Sequence, residues 1–197
     1  MQQPSERRSN RERTEATRGE LIAAARTLFT EKSYAETSTP EIVAAAGVTR
    51  GALYHHFEDK QALFRAVVER EAELVAAEIE RAAPEGLPAR EALVKGGEAF
   101  IEAMAMPGRT RLLLLDGPAV LGRAEMDAID ARHGTRTLRA GIAFAMREGV
   151  MRRLSLDAVT ALVSSAFDRA ALAIDAGAPA EDYRTALAAL IDGLMLE

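Results

Sequence analysis

Residues 38–60 read STPEIVAAAGVTRGALYHHFEDK, and the caps and breaks in this stretch divide it into helices. Ser38 stands three residues before Glu41, the spacing of a capping box, and Pro40 falls in the first turn, where its missing N–H leaves no bond unmade. A short helix therefore starts after Ser38 and runs to about Ala46, where Gly47 stops it. Thr49 caps the next helix, with Val48 placed to pack on Leu53 as a hydrophobic staple, and that helix ends near Phe57. Glu58 and Asp59 cap a third, which begins near Lys60. Two short helices joined by a tight glycine turn are the unit that sets a helix into the DNA major groove.

The second of these helices divides by face. Leu53 and Phe57, four apart, turn inward and leave Arg50, Gly51, Tyr54 and His55 outward. Arginine suits a two-pronged contact to guanine, and the Ala52 methyl suits a thymine methyl. Gly51 costs about 1 kcal/mol against alanine inside a helix, and the close approach of a DNA backbone or base edge accounts for it.

Upstream, Thr17-Arg18-Gly19-Glu20 has the form of a capping box, and Leu21, Ala24, Ala25, Leu28 and Phe29 recur at helical spacing, which predicts a helix over 17–32. Residues 1–16 hold Arg7, Arg8, Arg11 and Arg13 among polar residues; this predicts a flexible basic arm, with a solvated tail and a minor-groove contact as its two readings. Downstream, Leu63, Phe64, Val67, Leu74 and Val75 make the stripe of a long helix over 60–82, ended by Pro84, Gly86 and Pro88. Five more helical segments follow, at roughly 88–105, 109–116, 122–148, 156–176 and 180–196, with no alternating strand pattern anywhere. The fold class is all-α, with a three-helix helix-turn-helix domain before a helical bundle.

Over Thr17–Phe64, and above all from Ser38 to Lys60, the sequence resembles the DNA-binding domain of the TetR family. The match covers about a quarter of the chain in a fixed order, including Tyr54-His55-His56-Phe57 and the lysine that opens the next helix. The resemblance implies a homodimer on double-stranded operator DNA, commonly a repressor, whose C-terminal domain binds a small-molecule effector and alters the spacing of two recognition helices. It implies phosphate contacts from Ser38 or Thr39, Thr49, Tyr54 and Lys60, and places Arg50, Ala52 and His55 at or near base edges. The domains are then the arm over 1–16, the DNA-binding domain over 17–64 and the effector-binding and dimerisation domain over 65–197. Ser33 departs from the pattern, standing where the family often has glycine after the first helix.

Composition narrows the rest. The chain has 197 residues, no cysteine and no tryptophan, which removes disulfides, thiolate metal sites and cysteine nucleophiles. No segment is apolar enough for a membrane span or a signal peptide, so a cytoplasmic location is expected. The net charge of −5 is uneven. Residues 1–65 carry ten Lys/Arg against nine Asp/Glu, and 66–197 carry fifteen against twenty-one. With only Arg50 and Lys60 as cations in the helix-turn-helix stretch, tight binding needs two linked copies.

No cofactor, metal or catalytic site is expected. His55 and His56 point about 100° apart on a helix and lack a third ligand. Asp127, Asp130 and His133 share a helical face as ordinary surface residues do, and Asp116–Gly122 lacks the lysine and preceding strand of a phosphate loop. Phe100, Met104, Leu113, Phe144, Met146 and Phe167 are candidates either for lining an effector pocket or for filling the bundle core. Val159, Val163, Ala166 and Ala170, with Tyr183, Leu187, Leu190, Ile191 and Leu194, form apolar stripes on the last two helices, which the Gly177–Pro179 turn makes antiparallel. These nine are the expected dimer interface.

Overall fold

The computed structural model describes residues 10–84 and 86–196. Its regular structure is ten α-helices: α1 (Asn10–Lys32), α2 (Thr39–Ala45), α3 (Arg50–His56), α4 (Lys60–Ala82), α5 (Ala89–Met104), α6 (Gly117–Leu121), α7 (Arg123–Arg132), α8 (Gly134–Arg147), α9 (Leu156–Asp175) and α10 (Ala180–Asp192), with a π-helical turn at Arg111–Asp116. The chain forms two compact units that divide at Val67 and Val68, inside α4.

In the first unit the expected caps close both short helices. The Ser38 and Glu41 capping box opens α2, Gly47 leaves it at φ +66°, and the Thr49 hydroxyl accepts from the Ala52 N–H at 3.1 Å to open α3. Asp59 Oδ1 accepts from the Ala62 N–H at 2.7 Å as the cap of α4. The core beneath is Leu21, Ala25, Phe29, Ile42, Leu53, Phe57, Leu63 and Phe64, all buried. Phe29, Tyr34 and Phe64 meet with ring centroids 5.0–5.7 Å apart, in the tilted and edge-on arrangements that aromatic quadrupoles favour.

Two expectations change here. Thr17 is not a cap: α1 begins seven residues earlier, because Asn10–Ala16 is rich in Arg and Glu, which are strong helix formers, and Glu12 in the first turn suits the helix dipole. Arg11 and Arg13 are therefore helical and exposed, while Arg7 and Arg8 lie outside the described residues. After α1, Ser33 takes φ +92°, a left-handed conformation that a glycine would adopt without strain.

The second unit packs α5, α8, α9 and α10 around Leu93, Ile101, Ile142, Ala145, Met151, Val159, Phe167, Ala170, Leu187 and Ile191. Two glycines let these helices close: a Cβ at Gly97 would stand 2.6 Å from Phe167 Cζ, and one at Gly141 would stand 2.9 Å from Leu93 Cδ2. Arg90 grips Asp192 with two bonds of 2.7 and 2.8 Å, joining α5 to α10. Arg152 N–H to Leu194 O (3.0 Å) and Leu196 N–H to Val150 O (2.9 Å) tie the segment after α10 to the α8–α9 connection.

The segment expected as one helix over 122–148 is two. Glu69 of α4 accepts from Arg132 Nη2 at 2.7 Å and meets His133 Nε2 at 2.7 Å, while Asp130 accepts from the Thr135 N–H and hydroxyl. These bonds hold His133 outside helical geometry, with ψ −99°, and the chain restarts at Gly134. Asp127 pairs instead with Arg123 at 3.6 Å, so Asp127, Asp130 and His133 serve three separate contacts.

Candidate nucleic-acid interface and cavity

α3 presents the divided face its sequence requires. Leu53 and Phe57 are buried, Arg50, Gly51, Tyr54 and His55 are exposed, and Ala52 is half-buried. The Arg50 guanidinium lies 5.4 Å from the Tyr54 ring centroid. Hydrogen bonds with Thr39 and then Arg50 hold the Tyr54 phenol below its usual range, linking the start of α2 to the outward face of α3. Ser38 and Thr49 are exposed at the two helix starts. His56 turns inward, where burial, then His55 and Arg18, depress its imidazole.

Gly51 is free of any packing demand. A Cβ built there would meet nothing closer than Thr49 Oγ1, at 3.8 Å. Its place in a seven-residue helix is thus a cost the fold does not require.

Lys60 has a different first task from the one expected. Its ammonium donates to Tyr34 O at 2.9 Å and Thr37 O at 3.0 Å and sits 4.1 Å from the Tyr34 ring centroid. These contacts lock the α1–α2 connection onto the start of α4. Lys32, another cation near α2, is bound to Glu41 at 2.6 Å, and that bond, with the Ser38 N–H and hydroxyl, holds the Glu41 carboxyl down at about 2. Arg50 is left as the outward cation of residues 38–60.

In the second unit, α4, α5, α7, α8 and α9 enclose a cavity of about 290 Å³. Leu93, Gly96, Gly97, Phe100, Gly141 and Phe167 give it an apolar wall, and Phe100 and Phe167 meet edge-on at 5.6 Å. Its charged lining residues are Glu80, Asp130, Arg136 and Asp168.

The pattern of the bacterial regulatory proteins of the tetR family matches residues 21–67, and that of the tetracyclin repressor-like C-terminal domain matches residues 90–196. The chain belongs to the TetR family. As a TetR-family protein it is a helix-turn-helix transcriptional regulator rather than an enzyme. It is similar to a TetR-family transcriptional regulator from Pectobacterium atrosepticum, 31% identical with a TM-score of 0.76 over 96% of this chain and 99% of that one. The HTH-type transcriptional repressor BepR of Brucella suis biovar 1 is 42% identical over 64 residues, 32% of this chain and 30% of BepR. The chain matches such curated relatives over about 30% of their length. RolR, solved in complex with resorcinol, shares the fold at a TM-score of 0.69 and 20% identity, over 92% of this chain and 88% of RolR.

Within this TetR-family chain, the structure sorts the other expected site residues. Phe100 and Phe167 line the cavity. Met104 and Leu113 are buried away from it, Met146 packs on the bundle core, and Phe144 is 37% exposed with Arg147 over its ring. Among the cavity walls that sequence reasoning missed are glycines. Gly96 and Gly97, side by side within an otherwise amphipathic helix, were the available signal, because helix-interior glycine needs a packing reason.

Most of the expected dimer stripe faces inward. Val159, Ala170, Leu187 and Ile191 are buried in the chain's own core, and Val163, Ala166, Tyr183 and Leu194 pack against it. An apolar stripe marks the first surface a helix must cover, which here is its own bundle. Leu190 alone of the nine is outward, 57% exposed, and Leu162 on α9 is 72% exposed. Around them Ala158, Ala161 and Ser165 on α9, with Ala186 and Ala189 on α10, are also exposed.

Proposed function

We propose that the chain is a homodimeric repressor that reads a two-fold operator with α3 and leaves it when a small molecule fills the cavity of the second unit. The observation that carries the DNA surface is Gly51. A glycine on the exposed face of a capped helix, with room for a Cβ, is accounted for by an outside surface that comes closer than a methyl group allows. Arg50 beside it reads guanine, Ala52 and His55 lie at neighbouring base edges, and Ser38, Thr39, Thr49 and Tyr54 hold phosphates. The repressor name of BepR supports the sign of regulation.

The outward small residues around Leu162 and Leu190 support pairing of α9 and α10 with their symmetry mates, because flat helix faces of Ala and Ser allow close approach. The cavity, and the resorcinol complex of RolR, support effector binding in the second unit. The helix α4 begins with Lys60 in the first unit and lines the cavity through Ile79 and Glu80, so it is the element through which occupancy reaches DNA binding.

The test is Gly51→Ala, measured on DNA the protein itself selects from a random pool. Helix propensity predicts a gain of up to about 1 kcal/mol in stability, together with a clear loss of affinity for the selected DNA. A variant that gains stability and binds unchanged would remove the argument for α3 as the reading surface.

A further inference from the structure

The polar groups of the cavity are unequally matched. Glu80 of α4 is paired with Arg136 of α8 at 2.6 Å, and Asp130 of α7 accepts from the Thr135 N–H and hydroxyl. Asp168 of α9, half-buried on the same wall, makes no hydrogen bond or ion pair with any other described residue. Arg123 of α7 is the cation whose field reaches it, and that side chain is 79% exposed and set against Asp127. With every group ionised the lining holds three carboxylates and one guanidinium, so its charge is negative, and the unmatched part lies at Asp168 and Asp130. The rest of the lining is largely apolar and carries the Phe100 and Phe167 rings, whose faces attract cations.

An anionic ligand would be repelled here, and a neutral apolar one would strip water from a carboxylate and give nothing back. A protonated amine supplies the missing donor and the missing charge together. We propose that this cavity selects an effector with an amine-type cationic head and a compact apolar body, the head seated against Asp168 and Asp130 and the body against Phe100 and Phe167. The proposal rests on the reading of the cavity as the effector site. A volume of about 290 Å³ accommodates a body of about one ring with a short chain. The unliganded site bears the cost of its own charge: burial, then the neighbouring Asp130, push the Asp168 carboxyl up to about 6, against the weaker pull of Arg123. A bound cation offsets both causes.

Calorimetric titration at about pH 8, where both Asp168 and an alkylamine are charged, with 4-phenylbutylamine, 4-phenylbutanol and 4-phenylbutanoate tests this on one skeleton with three heads. The amine is expected to bind at least about tenfold more tightly than the alcohol, the margin of one charge-assisted bond, and the carboxylate most weakly. Asp168→Asn, which keeps the shape and has no internal bond to lose, is expected to erase that margin. In the wild type, amine affinity falls as pH drops through about 6, and in Asp168→Asn it stays level over the same range. Alcohol or carboxylate binding as tight as the amine, or an amine affinity untouched by Asp168→Asn, overturns the cation proposal and leaves the effector cavity standing. Ala92→Leu fills the cavity from α5; if it changes the affinity of no bound compound, the cavity reading fails instead. No binding by any of the three counts against both.

Discussion

Lys60 stands where an exposed cation would meet a phosphate, yet its donors are turned to the Tyr34 and Thr37 carbonyls. Lys60→Met should therefore lower the unfolding free energy of the first unit by about 1–3 kcal/mol, since it strands two carbonyls and removes a cation from the Tyr34 ring. The salt dependence of DNA binding should keep its slope, whereas loss of a phosphate contact would flatten it by about one unit. Denaturant unfolding and binding at several salt concentrations separate the two. Asp168 gives a pH signature of its own. Its folded-state carboxyl, raised to about 6 from an ordinary 3.8, binds a proton the unfolded chain has released, so stability falls as pH rises from about 4 to 6 and stays low above it. Asp168→Asn should remove that fall and leave the second unit more stable by about 1–3 kcal/mol near pH 8, as read by thermal unfolding. Neither role was legible in the sequence. Lys60 finds carbonyls 26 and 23 residues away, and Asp168 lies on a wall only the packed bundle creates. Ser38, Glu41, Gly47 and Thr49 were legible because each acts on backbone within three or four residues of itself.

Elements were readable to the extent that their ends are set locally. α2, α3 and α4 carry side-chain caps and start where those caps require. The break between α7 and α8 depends on Glu69 of a distant helix and left no mark in the periodicity. The same is true around the π-helical turn. Arg109, just before it, is buried, donating to Glu71 Oε2 at 2.8 Å and Ala103 O at 2.7 Å, with Glu78 at 3.2 Å. Thr110 donates to Met104 O at 3.0 Å, so the segment that follows α5 is pinned by side chains before the turn begins. Taking the cation out of a buried charged network is costly, so Arg109→Met should cost about 3–5 kcal/mol. The double variant with Glu71→Leu should recover a large part of that loss, which urea unfolding of both proteins would measure. Equal losses in the single and double variants would mean that Arg109 stabilises the unit mainly through Ala103 and Glu78.

For the whole molecule, two copies are expected to act together. One recognition helix with a single outward cation, Arg50, makes few phosphate contacts, and linking two half-sites raises affinity by orders of magnitude without a new contact. The sequence points to the last two helices as the pairing elements, but most of the stripe it offers covers the chain's own core, since a stripe of Val, Leu and Ile reads alike whether it covers that core or a partner. The outward candidates are Leu162 and Leu190. Leu162→Glu with Leu190→Glu should give a folded monomer, because neither side chain is buried within the chain, and should lose tight DNA binding along with the dimer. The most direct measurement is selection of DNA from a random pool by the purified protein, followed by the mass of the complex in solution. Convergence is expected on an inverted repeat with half-sites about ten base pairs apart or a multiple of that, bound by an even number of chains. Arg50→Ala is expected to lose about 1–3 kcal/mol of discrimination at one base pair in each half-site. A pool that fails to converge, a selected site without two-fold symmetry, or a specificity indifferent to Arg50→Ala would contradict this reading.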